Sequence, residues 1–340
     1  MDNINLKMLA KELNLAVSTV SRALRDSYEI SQETKDRVRA LAEKLGFQPN
    51  PHASSLRQHK SKTIAVILPE IENNFFSQVM NGVESIAQEK SYHVLIYLTH
   101  EDYNKEKNFL QLLRNGRVDG LMISFSNTTA NFEHLEACKN AGIPIVMFDR
   151  VSDKIDLPKI ITDDAEISFE ATEHLLKKGC KRIAFLSISG TLSITSGRKA
   201  GYLKALEKSK IKHTPLVAEC SPYDEQNRQT IRKLLQKNPR PDAIFAAVEK
   251  LAINTYEVCN ELGINIPGQL KVVGFSNSQA AALFNPSLST VVQPAYDIGR
   301  MACSILFKII EKKMLLPNEK KLVLRSKLEE RCSTTRGHKL

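Results

Sequence analysis

Five residues of one short stretch, Val17, Ser18, Thr19, Ser21 and Arg22 in VSTVSR, are of the types that read duplex DNA. Arginine donates two parallel hydrogen bonds to guanine O6 and N7, valine meets a thymine methyl, and serine serves either base edge. Thr19 and Ser21 suit phosphate oxygens, which set register rather than sequence. To act together these side chains must share the outer face of one helix, and the surrounding spacing predicts one. Leu6, Leu9, Ala10 and Leu13 recur at helical intervals behind a capping Asn5, and Asn14-Leu15-Ala16 interrupts them. A second short helix follows, with Val20, Ala23 and Leu24 on its inner face and Val17, Ser18, Ser21, Arg22 and Arg25 on its outer one. Two such helices and a three-residue turn read as a helix-turn-helix, against the plainer alternative of an ordinary helical hairpin. Ser31 caps a third helix with Val38, Leu41, Ala42 and Leu45 as its buried stripe, and Gly46 ends it.

The composition agrees with an anionic partner. The chain has 340 residues and a net charge of +10. Residues 1–62 hold eleven Lys/Arg against seven Asp/Glu, so much of the excess sits where the helix-turn-helix lies. A chain this long exceeds one compact core, and several domains are expected. The six cysteines, at 138, 180, 220, 259, 303 and 332, are never closer than 29 residues. They form no CxxC ligand pair and fit a reduced, cytoplasmic protein. The N-terminus lacks the apolar region of a signal peptide, and no apolar run reaches membrane-spanning length. No GxSxG, HExxH, GxxxxGK[ST] or GxGxxG after a strand is present, and the eight histidines show no paired spacing, so neither an enzyme nor a metal or cofactor site is expected.

Residues 50–61, with Pro49 just before and Pro51 within, read as a linker containing one or two helical turns. From Ile64 onwards short apolar strands at 63–68, 93–98, 119–123, 144–148, 182–187, 242–247 and 270–275 alternate with amphipathic stretches such as 75–90 and 104–115. This is the βαβ pattern of parallel sheets covered on both faces. Asp163 to Ala165 is a plausible crossing between two such domains. A helix at 295–312 and a strand at 321–325 are expected to return to the first, and residues 331–340 to fray.

In this order and spacing LKMLAKELNLAVSTVSRALR, LGFQPNPHASSLR, KTIAVILPEIENNFFSQVMNGVE, GRVDGLMIS, GIPIVMFDR, GRKAGYLKAL, RPDAIFA, VVGF and LSTVVQP resemble the LacI–GalR family of bacterial transcription regulators over nearly the whole chain. The resemblance implies a three-helix headpiece (1–49), a hinge helix (50–61) and a two-lobed core like the periplasmic sugar-binding proteins (62–330). Lobe 1 is expected at about 62–162 plus 292–326, and lobe 2 at about 163–291. It also implies a homodimer or tetramer on a palindromic operator, controlled by a small molecule. Leu56 matches the leucine that wedges into the minor groove at the operator centre, with Asn50 and Arg57 as neighbouring DNA contacts. The alternatives are a solute-binding protein with the same core and, more distantly, an α/β enzyme.

The small molecule is expected outside the carboxyl ends of the strands, between the lobes. Residues just past those ends are Asn73, Phe75, Phe76, Ser124, Phe125, Asp149 and Arg150 in the first lobe, and Arg198, Glu249, Ser276 and Asn277 in the second. Arg198 matches the family's effector-contacting arginine, and Phe75 and Phe76 its ligand-facing aromatics. Ser276 stands where many relatives have an acid, and Val248-Glu249 replaces a polar-acid pair. With Arg150 and Arg198 nearby, these departures suggest a strongly polar or anionic effector such as a sugar acid or sugar phosphate. The counter-reading is that Asp149 neutralises Arg150 and leaves a site for a neutral ligand.

Overall fold

The computed structural model describes residues 5–47, 61–188, 192–209 and 214–335. It divides into a unit ending at Ser61 and a unit beginning at Lys62. The first holds α1 (Leu6–Leu13), α2 (Val17–Leu24) and α3 (Gln32–Lys44). The Asn5 carboxamide oxygen accepts from the Lys7 and Met8 N–H groups, and Ser31 Oγ accepts from Thr34, satisfying donors that the first helical turns leave free. Leu9, Ala10, Val20, Ala23, Val38 and Ala42 close the core. Leu45 departs from expectation: it is the C-cap of α3 and 37% exposed, because the chain has already left the helical path there. Lys35 is buried instead, its ammonium 3.1 Å from Asp26. Gly46, at φ +64°, takes the left-handed turn that ends the helix.

The second unit contains two six-stranded sheets. The first is formed by β1 (Thr63–Leu68), β2 (His93–Leu98), β3 (Gly120–Ile123), β4 (Ile145–Phe148), β5 (Lys159–Thr162) and β11 (Lys321–Leu324), all parallel, in the order β11-β5-β4-β3-β1-β2. The second is formed by β6 (Ile183–Ser187), β7 (Leu216–Glu219), β8 (Ala243–Ala246), β9 (Lys271–Phe275), β10 (Ser289–Val292) and β12 (Lys327–Glu329), in the order β12-β10-β9-β8-β6-β7. Only β12 runs antiparallel, against β10. The apolar runs at the sheet centres, TIAVIL, GLMI, IVMF and AIFA, are buried on both faces, as parallel strands flanked by helices must be.

The helices are α4 (Asn74–Glu89), α5 (Tyr103–Leu113), α6 (Glu133–Asn140), α7 (Asp164–Lys177), α8 (Ser193–Lys208), α9 (Asp224–Leu235), α10 (Glu249–Glu261) and α11 (Ala295–Ile310). In lobe 1, α11 lies so close to α4 that a Cβ built on Gly82 would stand 2.1 Å from the Tyr296 carbonyl oxygen, and one on Gly299 2.0 Å from that of Val79. Lobe 2 repeats the device between α7 and α8, where a Cβ on Gly201 would stand 2.1 Å from the Ala165 carbonyl oxygen. Glycine is required at these points because backbone meets backbone.

The chain crosses between lobes three times, after β5, after β10 and after β11. The crossings are tied together: Gln293 Nε2 donates to Thr162 Oγ1 at 3.2 Å, and the Ser326 N–H donates to Asp163 Oδ1 at 2.8 Å. Four strands were not expected from the sequence, β5, β7, β10 and β12, each three or four residues long. The start of the expected frayed tail is docked instead. Ser333 and Thr334 are buried, with Ser333 Oγ donating to the Val272 carbonyl and accepting from the Ser289 N–H. Small hydroxyl side chains can seat there because they satisfy backbone groups of lobe 2 that would otherwise lack partners. Among the described residues no helix is long and apolar enough to cross a membrane.

Candidate functional site

Both sheets reverse their strand order between the first strand and its next parallel neighbour, β1/β3 in lobe 1 and β6/β8 in lobe 2. Ligand crevices open at the carboxyl ends of such switch points. Ser124 follows β3, Asp149 and Arg150 follow β4, and Ala247 follows β8, so the expected cleft residues are brought to these ends. Asp149 is 6% exposed, holds the left-handed conformation at φ +57°, and accepts from Ser124 Oγ at 3.4 Å. Burial pushes its carboxyl up to about 6, against the opposing pull of Arg150 and then Arg198.

Neither arginine is free. Arg198, 3% exposed on α8, donates through Nε to Asp164 Oδ1 at 2.7 Å and through Nη1 to the Ala247 carbonyl at 2.6 Å. Its guanidinium lies 3.7 Å from the centre of the Phe275 ring. Burial holds the Asp164 carboxyl above its usual range although Arg198 opposes it. Arg150 does not pair primarily with Asp149, whose carboxylate stands 4.0 Å from Nε. It donates through Nη1 to both carboxylate oxygens of Glu101, at 2.7 and 2.9 Å, and at 3.3 Å to the Phe125 carbonyl. Ser276, where an acid was missing, donates at 2.8 Å to Glu249 Oε2, so the carboxylate is supplied by the neighbouring helix. Three acids, Glu101, Asp149 and Asp164, thus stand beside the two arginines, and a fourth, Glu249, is held by Ser276.

Other expected contacts are committed elsewhere. Asn277 Nδ2 donates to the Gln293 carbonyl at 2.6 Å and to Gln78 Oε1 at 3.2 Å, while its Oδ1 accepts from the Gln293 N–H. Since Gln78 lies on α4 and Asn277 past β9, this amide joins the two lobes rather than facing a ligand. A second bond between lobes runs from the Val151 N–H to Ser193 Oγ at 3.1 Å. Asn73 caps α4 through Phe76 N–H and donates to Glu70. Phe76 is 2% exposed within the lobe 1 core, with half-buried Phe75 edge-on against it, so of the two only Phe75 keeps part of its surface open.

Glu101, Asp164, Gln78, Gln293 and Phe275 were missed. Glu101 had a usable signal: the rule that singled out residues past the other strands, applied to β2, reaches His100-Glu101.

In the first unit, Val17, Ser18 and Arg22 are exposed on α2 and Thr19 is half-buried. Arg22 pairs with Glu29 at 2.8 Å, both side chains remaining open to solvent. Ser21 is not on that outer face. It is 7% exposed, and its hydroxyl accepts from Arg25 Nη2 at 2.7 Å. Arg25, one helical turn further on, thus shares the face of Ser21 and covers its hydroxyl. Unlike α1 and α3, α2 has no side-chain cap at its start among the described residues. Asn50, Leu56 and Arg57 lie outside the described residues.

Comparison with known proteins accords with this geometry. Residues 5–50 match the family described as bacterial regulatory proteins, lacI family, and residues 61–327 match the periplasmic binding proteins and sugar binding domain of LacI family. Catabolite control protein A of Priestia megaterium is 30% identical over 315 residues, covering 91% of this chain and 93% of that one. The ribose operon repressor of Halalkalibacterium halodurans is 30% identical over 310 residues, covering 91% of each. Among solved structures, the lac repressor dimer bound to operator and the anti-inducer ONPF superposes with a TM-score of 0.86 at 22% identity, covering 98% of this chain and 99% of that one, a likeness of fold.

Proposed function

This chain belongs to the LacI family of bacterial regulatory proteins, and we propose that it represses transcription in the cytoplasm under the control of a neutral polyhydroxy effector, a sugar or close derivative, bound between the two lobes. It is a DNA-binding transcriptional regulator and acts as a homodimer on operator DNA. A solute-binding role alone leaves residues 5–50 without a purpose.

The observation that carries the neutral reading is the pairing of both arginines. Arg150 is taken by Glu101 and Arg198 by Asp164, and Ser276 is backed by Glu249. An anionic effector would have to displace the buried Asp164 or the partly buried Glu101 from a buried guanidinium, and breaking such a pair is costly. Hydroxyl groups ask less: they both donate and accept, and suit an array of carboxylates held beside guanidinium N–H groups. Effector binding is expected to bias the lobes through the bonds that already span them, Gln78–Asn277 and Val151–Ser193.

On the DNA side, Val17, Ser18, Thr19 and Arg22 supply contacts from α2, with Asn50, Leu56 and Arg57 in the hinge. The edge strand β2 presents Leu95 and Ile96, 41% and 45% exposed, as a surface suited to a second copy. The test is titration calorimetry of the full-length protein with matched ligands, D-glucose against D-gluconate and D-ribose against ribose 5-phosphate, followed by operator binding with each. Binding of a neutral member at least tenfold tighter than its anionic partner is expected. Preference for the anion overturns the neutral reading.

A further inference from the structure

The β2–α5 loop places Glu101 at a cost in backbone freedom. His100 and Glu101 are consecutive non-glycine residues in the left-handed region, at φ +51° and +61°, a conformation that L-residues avoid unless the surroundings impose it. Here they do. The His100 N–H donates to the Pro69 carbonyl at 2.9 Å, and Thr128 Oγ1 donates to the Glu101 carbonyl at 2.7 Å. The Asn127 N–H reaches Glu101 Oε2 at 2.7 Å. The result is a carboxylate pinned from the backbone side and aimed at Arg150, whose side chain is only 7% exposed.

A guanidinium that buried cannot carry its own hydration and must have an anion beside it. Arg150 has two candidates. Asp149 stands 4.0 Å from Nε, beyond hydrogen-bonding distance, and Nε makes no hydrogen bond among the described residues. Glu101 makes contact through both oxygens. Glu101 comes from a loop outside the strand ends that carry the other cleft groups, and among the described residues its carboxylate touches only Arg150 and the Asn127 amide.

We infer that Glu101 sets the charge selectivity of the cleft: by occupying Arg150 it reserves the site for uncharged ligands, and neutralising it turns Arg150 into an anion site. The inference rests on the neutral-effector reading and adds a positioning residue that acts through Arg150. Arg150 Nη1, no longer held by Glu101, is then free to donate to a carboxylate or phosphate oxygen.

The experiment uses the full-length protein and inorganic phosphate as probe, at constant ionic strength set with chloride, read by titration calorimetry. Glu101→Gln keeps the shape and the acceptor for the Asn127 N–H while removing the charge. It is expected to bind phosphate at least about tenfold more tightly than the wild type, and the gain is expected to vanish in Glu101→Gln/Arg150→Gln. Glu101→Ala, whose vacated half-exposed site water can fill, serves if the glutamine variant does not fold, with the same expectation. A purely structural role for Glu101 lowers affinity for every ligand. The role inferred here inverts the phosphate-to-glucose and gluconate-to-glucose preference. Equal phosphate affinity in wild type and variants, or a gain that survives loss of Arg150, overturns the inference while leaving the neutral reading intact. Tight phosphate binding by the wild type that Arg150→Gln abolishes overturns both.

Discussion

Asp149 offers a measurable trade between stability and function. Its carboxyl is 6% exposed and is shifted from 3.8 to about 6, chiefly by burial. A carboxylic acid whose folded value lies above its unfolded value binds its proton more tightly in the fold. Its contribution to stability is therefore favourable at low pH and is lost as pH rises from about 4 through about 6. Above that window the folded protein holds a buried charge that the unfolded chain would hydrate. A shift of this size corresponds to roughly 3 kcal/mol at neutral pH, at about 1.4 kcal/mol per unit. Asp149→Asn removes the charge and keeps the size. Asparagine also tolerates the left-handed conformation at φ +57° at least as well as aspartate. The variant is thus expected to be more stable than wild type by up to about 3 kcal/mol near pH 7.5. The gap should narrow to about half that near pH 5 and almost close near pH 4. In differential scanning calorimetry at fixed protein concentration this is a rise in Tm of several degrees, roughly 5–10 °C. The same variant is expected to lose effector affinity, because the carboxylate beside Ser124 is gone. A variant that is no more stable at neutral pH, or whose advantage does not change with pH, refutes the account of Asp149 as a charge retained for its ligand.

Arg198→Met leaves Asp164 buried without its partner and is expected to destabilise the core by about 3–5 kcal/mol, with Arg198→Met/Asp164→Asn recovering most of the loss in a double-mutant denaturation cycle. Gly82→Ala places a methyl 2.1 Å from the Tyr296 carbonyl oxygen and is expected to cost about 1–3 kcal/mol in Tm-based stability, whereas a neutral outcome would show that α4 and α11 can part freely. Arg22→Ala is expected to weaken operator binding by about 1–3 kcal/mol per half-site and to relax base preference at one position, as read by binding to a panel of operator variants. Leu56→Ala is expected to weaken specific binding while sparing random DNA, which is held mainly by phosphate electrostatics; equal loss on both excludes a wedge.

The long central elements were legible because their patterns are local. IAVIL and IVMF are apolar throughout, and α1 announces itself through Leu6, Leu9, Ala10 and Leu13 behind a capping Asn5. Short edge strands such as β7 and β12 carry too few residues for a period, and their pairing comes from neighbours distant in sequence. Ser21 shows the same limit within a helix. Its type suited DNA, but its hydroxyl is buried and accepts from Arg25, one turn on along the same helix.

The sequence by itself determined the architecture and the chemistry available. A helix-turn-helix ahead of alternating βαβ units follows from residue spacing, and Arg150, Asp149, Arg198 and Glu249 stand past strand ends where ligands bind. Tertiary structure alone decided which carboxylates the two arginines pair with. Whether an arginine is an open anion receptor or half of a closed pair depends on which carboxylate lies within about 3 Å of it. Glu101 is 49 residues from Arg150, and Asp164 is 34 residues from Arg198. Coulomb interaction between such pairs is set by separation in space and by burial, and neither is written in the order of the chain.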